Sequence, residues 1–265
     1  MSDLEGQDLK NKKVIVRVDL NVPLDDNDNV TDTTRISACK ETVDLILEKG
    51  GTCILISHLG RPEGKENKFS LKKIVDTVSS VLNQPVFFYE DCIGQGAQEA
   101  ISKLDQGSII LMENLRFYRE ETLGDREFAE NLSELGDIYV NDAFSCSHRA
   151  HASIDQISKY LPSFSGLQLD LEVSALNKIT TEITKPITCI IGGSKISSKI
   201  NILKNLIPRF NNIIIVGAMA NNIFQYKDLK IGKSVYEKNI GKIINEIFSH
   251  AESNKCKIFF PRDVK

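Results

Sequence analysis

No apolar run in the 265 residues approaches the roughly 20 needed to carry a helix across a bilayer. The first ten residues, Met1 to Lys10, also lack the apolar stretch of a signal peptide. A membrane protein is not expected, and cytoplasm is the expected location. Surplus positive charge is missing too: 33 basic against 36 acidic side chains leave a net charge of −3. Binding nucleic acid through bulk charge needs a strongly basic domain, so that partner is disfavoured. There is no C-x-x-C pair. Cys39, Cys53, Cys92, Cys146, Cys189 and Cys256 are scattered along the chain, as free thiols of a reducing compartment are.

What is present is ordinary globular composition, 41% hydrophobic and 26% charged, enough for one large domain or two modest ones. Short β-branched runs alternate with amphipathic stretches. Expected strands are Lys13–Val18, Thr52–Ser57, Val86–Tyr89, Ser108–Met112, Ile138–Val140, Ile187–Ile191, Asn212–Val216 and Cys256–Phe260. Expected helices are Thr34–Glu48, Leu71–Leu82, Asp125–Leu135, Leu167–Thr181, Ser197–Leu206 and Tyr236–Phe248. In the first of these Ile36, Cys39, Val43, Ile46 and Leu47 share one face. Buried runs separated by helices predict an α/β fold with parallel sheets covered on both faces. A boundary is expected near Leu161–Gly166, followed by a connecting helix and a second domain holding only three strands.

Arginine is scarce, nine against 24 lysines, so its placement is informative. Arg35, Arg61, Arg116 and Arg149 lie just beyond expected strands or at the start of the following helix. Ligands of open parallel sheets bind outside the carboxyl ends of the strands. Four guanidinium forks converging there predict a small polyanion, phosphate or carboxylate. Asp19 and Asn21, two apart, face one side of an extended segment and either orient the ligand or shape the turn before Pro23. Arg17, inside the strand, reads better as a structural ion pair. Further on, Gly192-Gly193-Ser194-Lys195 followed by Lys199 is a strand, a glycine pair and a lysine-bearing helix start. It is either a plain connection or a phosphate cradle.

Other patterns fail. Gly232-Lys233-Ser234 lacks the earlier glycine of a P-loop, which falls on Lys227. Gly94-Gln95-Gly96 lacks the third glycine of a dinucleotide fingerprint. Arg149 between His148 and His151 argues against zinc, and no protein metal ligands are expected. Cys146 and His148 lack a third group for a nucleophile site. His58 and His151 read as further donors to an anion, and His250 as a surface residue.

The strings Arg17–Pro23 (RVDLNVP), Ser57–Pro62 (SHLGRP), Glu113–Phe117 (ENLRF), Val140–Phe144 (VNDAF), His148–Ser153 (HRAHAS) and Ile191–Lys195 (IGGSK) stand in the order found in phosphoglycerate kinases. The chain resembles that family from about Lys13 to its last residue. The resemblance implies two Rossmann-like three-layer domains with a hinge between them, residues 1–165 for phosphoglycerate and 185–265 for nucleotide, joined by 166–184. It implies reversible phosphoryl transfer between 1,3-bisphosphoglycerate and ADP, giving 3-phosphoglycerate and ATP, in a monomer of glycolysis. The phosphoglycerate site would be Asp19, Leu20, Asn21, Arg35, His58, Leu59, Gly60, Arg61, Arg116 and Arg149. Gly193, Lys195, Lys199 and Gly217 would meet the nucleotide, with Arg35 and Lys195 at the transferring phosphoryl group. Magnesium would arrive with ATP or ADP, its usual protein ligand lying beyond Lys265. Ala218 and Ser198 depart from the family's commoner Gly and Asp. Family members continue well past Lys265, so a truncated, incomplete second domain is expected, and with it the alternative of a non-catalytic phosphoglycerate-binding fragment.

Overall fold

The computed structural model describes residues 4–181 and 183–262. The chain divides into two compact units, one ending at Ser174 and the other starting at Ala175.

The first unit is built on six parallel strands: β1 Lys13–Arg17, β2 Thr52–Ile56, β3 Val86–Tyr89, β4 Ile109–Met112, β5 Ile138–Asn141 and β6 Ser163–Ser165. Their order is β3-β4-β2-β1-β5-β6. Its helices are α1 Thr34–Ala38, α2 Lys40–Glu48, α3 Val75–Leu82, α4 Gln95–Ser102, α5 Arg119–Leu123 and α6 Arg126–Ser133. α7, Leu167–Thr181, runs across the division between the units.

Strand alternation separates two cores. Val14, Val16, Leu55 and Val140 pack with Ile36, Val43, Ile46 and Val78 of α1 to α3. Their neighbours Ile15, Ile54, Ile56 and Tyr139 pack with Ala97, Ile101, Phe128 and Leu132 of α4 and α6. A period of two therefore feeds helices on both faces of a doubly wound sheet. The expected face of Thr34–Glu48 forms as read, with Leu47 at its margin, although the segment is two helices meeting at Cys39. β6 was not expected: Ser-Phe-Ser carries no apolar run, and it is an edge strand placed by pairing with Tyr139–Asn141.

The start of α7 is fixed by β5 and α2. Leu167 N donates to Thr42 Oγ1 (2.9 Å) and Leu169 N to Asp142 Oδ1 (3.1 Å), satisfying donors of the first turn. Asp142 is buried, and burial above all pushes its carboxyl pKa up.

The second unit has β7 Thr188–Gly192, β8 Asn212–Val216 and β9 Lys257–Phe259, all parallel, in the order β7-β8-β9. Its helices α8 Ile200–Leu206, α9 Ala218–Tyr226 and α10 Gly241–Ser253 bring Leu203, Met219, Ile223, Ile244 and Ile247 onto Ile213 and Ile215. All of this packing lies on one face. On the other, Ile190 is 69% and Phe259 48% exposed, so among the described residues this second α/β unit is incomplete, as expected, with its helices packed on one face of the sheet. α10 starts five residues later than expected because Asn239 is left-handed (φ 61°) and interrupts a helix through 236–240. His250 is not a plain surface residue, since its Nε2 lies 3.2 Å from the Lys204 carbonyl of α8.

Gly166 is tightly enclosed: a Cβ there would lie 2.2 Å from Asp142 Oδ1 and 2.4 Å from its Cγ. Gly166→Ala should therefore cost about 1–3 kcal/mol, the range of overpacked cores. Urea unfolding measures it, and an unchanged midpoint would contradict the tight seat of α7.

Candidate functional site

Six parallel strands place all their carboxyl ends on one edge of the first unit, so the loops after β1, β2, β4 and β5 are neighbours. Two clefts open there. The larger, about 480 Å³, is lined by Arg61, Arg116, Arg119, Arg149 and His151, with Glu63 as its one acidic side chain. Among the described residues none of these four arginines makes an ion pair. Arg116 is 9% exposed; its Nη1 donates to Gly60 O (2.6 Å), while its Nε is buried without a partner. Burial, and then the neighbouring Arg149 charge, pull its pKa down. Uncompensated like charges with a free buried donor are complementary to a multiply charged anion.

The smaller cleft, about 250 Å³, holds Asp19 and Arg35. Arg35 Nη1 meets Asp19 Oδ2 at 2.5 Å, and Ser145 Oγ donates to the same oxygen. The four arginines read from the sequence thus divide three and one: Arg35 sits in the other cleft, engaged with Asp19. Asn21 joins the two regions, because its Oδ1 accepts from Gly60 N (2.8 Å) and the Gly60 carbonyl accepts from Arg116. Gly60 is left-handed (φ 64°), and a Cβ would lie 2.4 Å from the Phe69 ring, so this crossing needs glycine. Leu20 and Leu59 are core residues, and the Leu59 carbonyl is held by Asn114 Nδ2 (2.8 Å).

Behind the larger cleft lies a polar network that the sequence did not reveal. Arg17 is fully buried and, contrary to the reading above, makes no direct ion pair among the described residues. Its Nη1 donates to the Val18 carbonyl, its Nε to Ser153 Oγ (3.1 Å), and its Nη2 lies 3.0 Å from His58 Nδ1. Ser153 passes the link on, its Oγ and N donating to Glu121 Oε1 (2.6 Å) and Oε2 (2.9 Å). A guanidinium can only donate, so His58 Nδ1 accepts and the neutral ring carries its proton on Nε2. Burial first, then Arg17, Arg116 and Arg149, push the His58 pKa down to about 2. Its position four residues before Pro62 in an apolar loop hinted at burial; Arg119, Glu121 and Ser153 gave no such hint.

In the second unit the ends of β7 and β8 bring Gly193 and Gly217 together: Met219 N donates to Gly193 O (2.9 Å), and a Cβ on Gly217 (φ 64°) would lie 3.8 Å from Gly193 N. Lys195 is exposed in the loop before the helix, not on it, so helical spacing does not align it with the half-buried Lys199. Ser197 N and Oγ donate to Glu237 (3.1 and 2.5 Å), which occupies two donors that a helix start would offer to phosphate. Burial alone would raise the Glu237 pKa, but these bonds and Lys195 bring it down. No three His, Cys, Asp or Glu among the described residues form a metal-binding group.

Two outcomes follow from this geometry. Arg116→Ala should weaken pyrophosphate binding by about tenfold or more, since charge-assisted bonds contribute most strongly in buried sites; an unchanged dissociation constant at low salt would exclude the cleft. Unfolded His58 takes a proton below about pH 6.5, whereas the folded ring holds out to about 2. The unfolded chain thus binds the extra proton, and stability falls with falling pH by up to about 1.4 kcal/mol per pH unit from this group. His58→Gln should flatten the slope of unfolding free energy between pH 6 and 4; equal slopes would contradict the buried neutral ring.

A family profile described as "Phosphoglycerate kinase" matches residues 1–265. The curated phosphoglycerate kinase of Wolbachia pipientis wMel is 46% identical over 261 residues, 98% of this chain and 65% of that protein. That of Bradyrhizobium diazoefficiens is 44% identical over 260 residues, again with 98% and 65% covered. The solved phosphoglycerate kinase structure from Coxiella burnetii superposes with a TM-score of 0.82 at 32% identity, covering 97% of this chain and 65% of that one. The one from Pyrococcus horikoshii OT3 gives 0.81 at 26%, covering 96% and 64%. The chain therefore spans 65% of the length of these curated relatives, and with its whole length matched it belongs to the phosphoglycerate kinase family.

Proposed function

We propose that the first unit binds 3-phosphoglycerate or 1,3-bisphosphoglycerate and that the chain takes part in reversible phosphoryl transfer to and from ADP, the glycolytic reaction its family name implies. The observation that carries this reading is the larger cleft. Three arginines expected from the sequence line it, none has a carboxylate partner among the described residues, and Arg116 Nε is buried and free. A ligand with a phosphate and a carboxylate brings the charge that these groups lack. Asp19, Asn21 and His58 complete the proposed phosphoglycerate site. His58 serves as a neutral Nε2–H donor, and Asn21 holds the loop from which Gly60 supports Arg116.

In the second unit Gly193, Gly217, Lys195 and Lys199 are proposed to meet the nucleotide, the glycine backbone next to phosphate and the lysines on its charge. Acyl phosphate formation starts from a carboxylate, which has no proton to remove, so the reaction needs no general base. Positioning and charge stabilisation of the transferring group are what remain, and Arg35 and Lys195 are proposed for that role. Magnesium would accompany the nucleotide phosphates, but the described residues form no ligand set for it, and no step here is assigned to it. No described helix is long and apolar enough to cross a membrane; a cytoplasmic, monomeric protein is part of the proposal.

The second reading is a phosphoglycerate-binding chain without transfer activity, favoured by the uncovered sheet face of the second unit. A coupled ATP-dependent assay with 3-phosphoglycerate, run beside a Lys195→Ala preparation, separates the two. Turnover abolished by the substitution supports the kinase. Calorimetric binding of 3-phosphoglycerate with no turnover above the control would leave only the binding protein.

A further inference from the structure

The cleft gathers Arg61, Arg116, Arg119 and Arg149 in one place, and such a cluster needs something to hold it together against its own repulsion. Two buried carboxylates lie close by. Both Glu113 oxygens are occupied by Ser70 Oγ (2.6 Å), Leu71 N (2.8 Å) and Asn114 N (2.7 Å), which shape the loop carrying Arg116. Glu121 is different: it is fully buried, belongs to α5 directly after Arg116, and spends both oxygens on the opposite loop. We propose that Glu121 is a positioning residue of the anion cleft, its carboxylate tying His151 and Ser153 to α5 so that Arg149 and His151 present their donors to the ligand. This inference rests on the anion-binding reading above.

Three observations support it. Glu121 Oε2 accepts from Ser153 N, and Oε1 accepts from Ser153 Oγ while lying 3.6 Å from His151 Nδ1, so residues 151–153 are held at both main chain and side chain. The end of α5 presses on the same loop. Gly124 is left-handed (φ 67°), and a Cβ there would lie 2.3 Å from the Ala150 carbonyl. Arg149 is thus followed by a loop that the α5 end approaches closely at Ala150 and that Glu121 holds by hydrogen bonds at Ser153, with His151 3.6 Å from the same carboxylate. Finally, Glu121 does not line the cleft, so it acts through the loop and not on the ligand. Burial raises its pKa, but the neighbouring His151, the Arg17 charge and the hydrogen bonds from Ser153 bring it below the ordinary carboxylate value. It is a carboxylate at neutral pH.

The sign of a substitution separates positioning from simple electrostatics. If Glu121 were only a negative charge behind the cleft, removing it would strengthen anion binding. If it holds the loop, removal weakens binding. Gln keeps the shape but has one acceptor oxygen for the two donors that Ser153 directs at it, N and Oγ, while Asp keeps the charge but is one methylene short. The experiment is a double-mutant cycle on the full 265-residue chain, with pyrophosphate and 3-phosphoglycerate each titrated calorimetrically at low salt. Glu121→Gln and Glu121→Asp should each weaken binding about tenfold, and in an Arg149→Ala background each should change it by less than about twofold, as coupled neighbours do. Tighter binding by the Gln variant, or equal losses with and without Arg149, would overturn the proposal. Should the Gln variant fail to fold, the Glu121→Asp arm, which keeps the charge and leaves the Arg17–Ser153 bond in place, decides the cycle alone under the same criteria. Binding of pyrophosphate without 3-phosphoglycerate would refute the phosphoglycerate reading and leave the cycle to decide this one. Binding of neither would refute both.

Discussion

Mutual repulsion among guanidinium groups is the constraint on which the first unit depends. Parallel strands deliver their following loops to a single edge, so arginines distant in sequence arrive as neighbours whether or not that is favourable. The fold ties Arg116 and Arg17 to backbone carbonyls and neutral groups, and it sets the buried carboxylates of Glu113 and Glu121 behind the cleft, whose lining holds one acidic side chain, Glu63. Arg116 leans on the Gly60 carbonyl, and Arg17 on Val18, Ser153 and His58. The charge stays available at the surface of the cleft because, among the described residues, none of its arginines is engaged in an ion pair. Such a surface is preorganised for an anion, in that little reorganisation is needed when the anion arrives.

Much of this was legible in the sequence, for definite reasons. Strands such as Ile54–Ile56 and Ile213–Ile215 are buried enough to read as apolar runs, and arginines placed just after them mark the carboxyl edge. The convergence of Arg61, Arg116 and Arg149 followed from topology alone. What stayed hidden depends on tertiary partners. Arg17 looks like any strand arginine until Ser153 and His58 come to it from more than 40 residues away. Glu121 is one of two adjacent glutamates in a short polar helix, and only the fold distinguishes it from exposed Glu120. Likewise Arg35 opens a helix as expected, yet its alliance with Asp19 places it in a separate cleft.

Short elements account for the remaining differences. β6 is three residues long and exists because β5 offers an edge, so it carries no signal of its own. α5 and α9 are too short, or too mixed in polarity, for a periodic pattern to stand out. Lys195 and Lys199 were paired by a helical spacing that does not apply, since a 3₁₀ turn begins only at Ser197 and α8 at Ile200. For the two lysines the residue types were informative and the spacing rule was not, because a rule for regular structure was applied where the chain turns.

The open face of the second unit has a consequence for how that unit behaves as matter in solution. Parallel sheets are ordinarily sheltered on both sides, and here Ile190 and Phe259 face outward from strands that are also the two edges of the sheet. Whatever covers that face, whether further polypeptide, a second copy or a chaperone, adds stability by mass action. The described residues of the second unit therefore draw their apolar burial from one side of the sheet, whereas the sheet of the first unit draws on both.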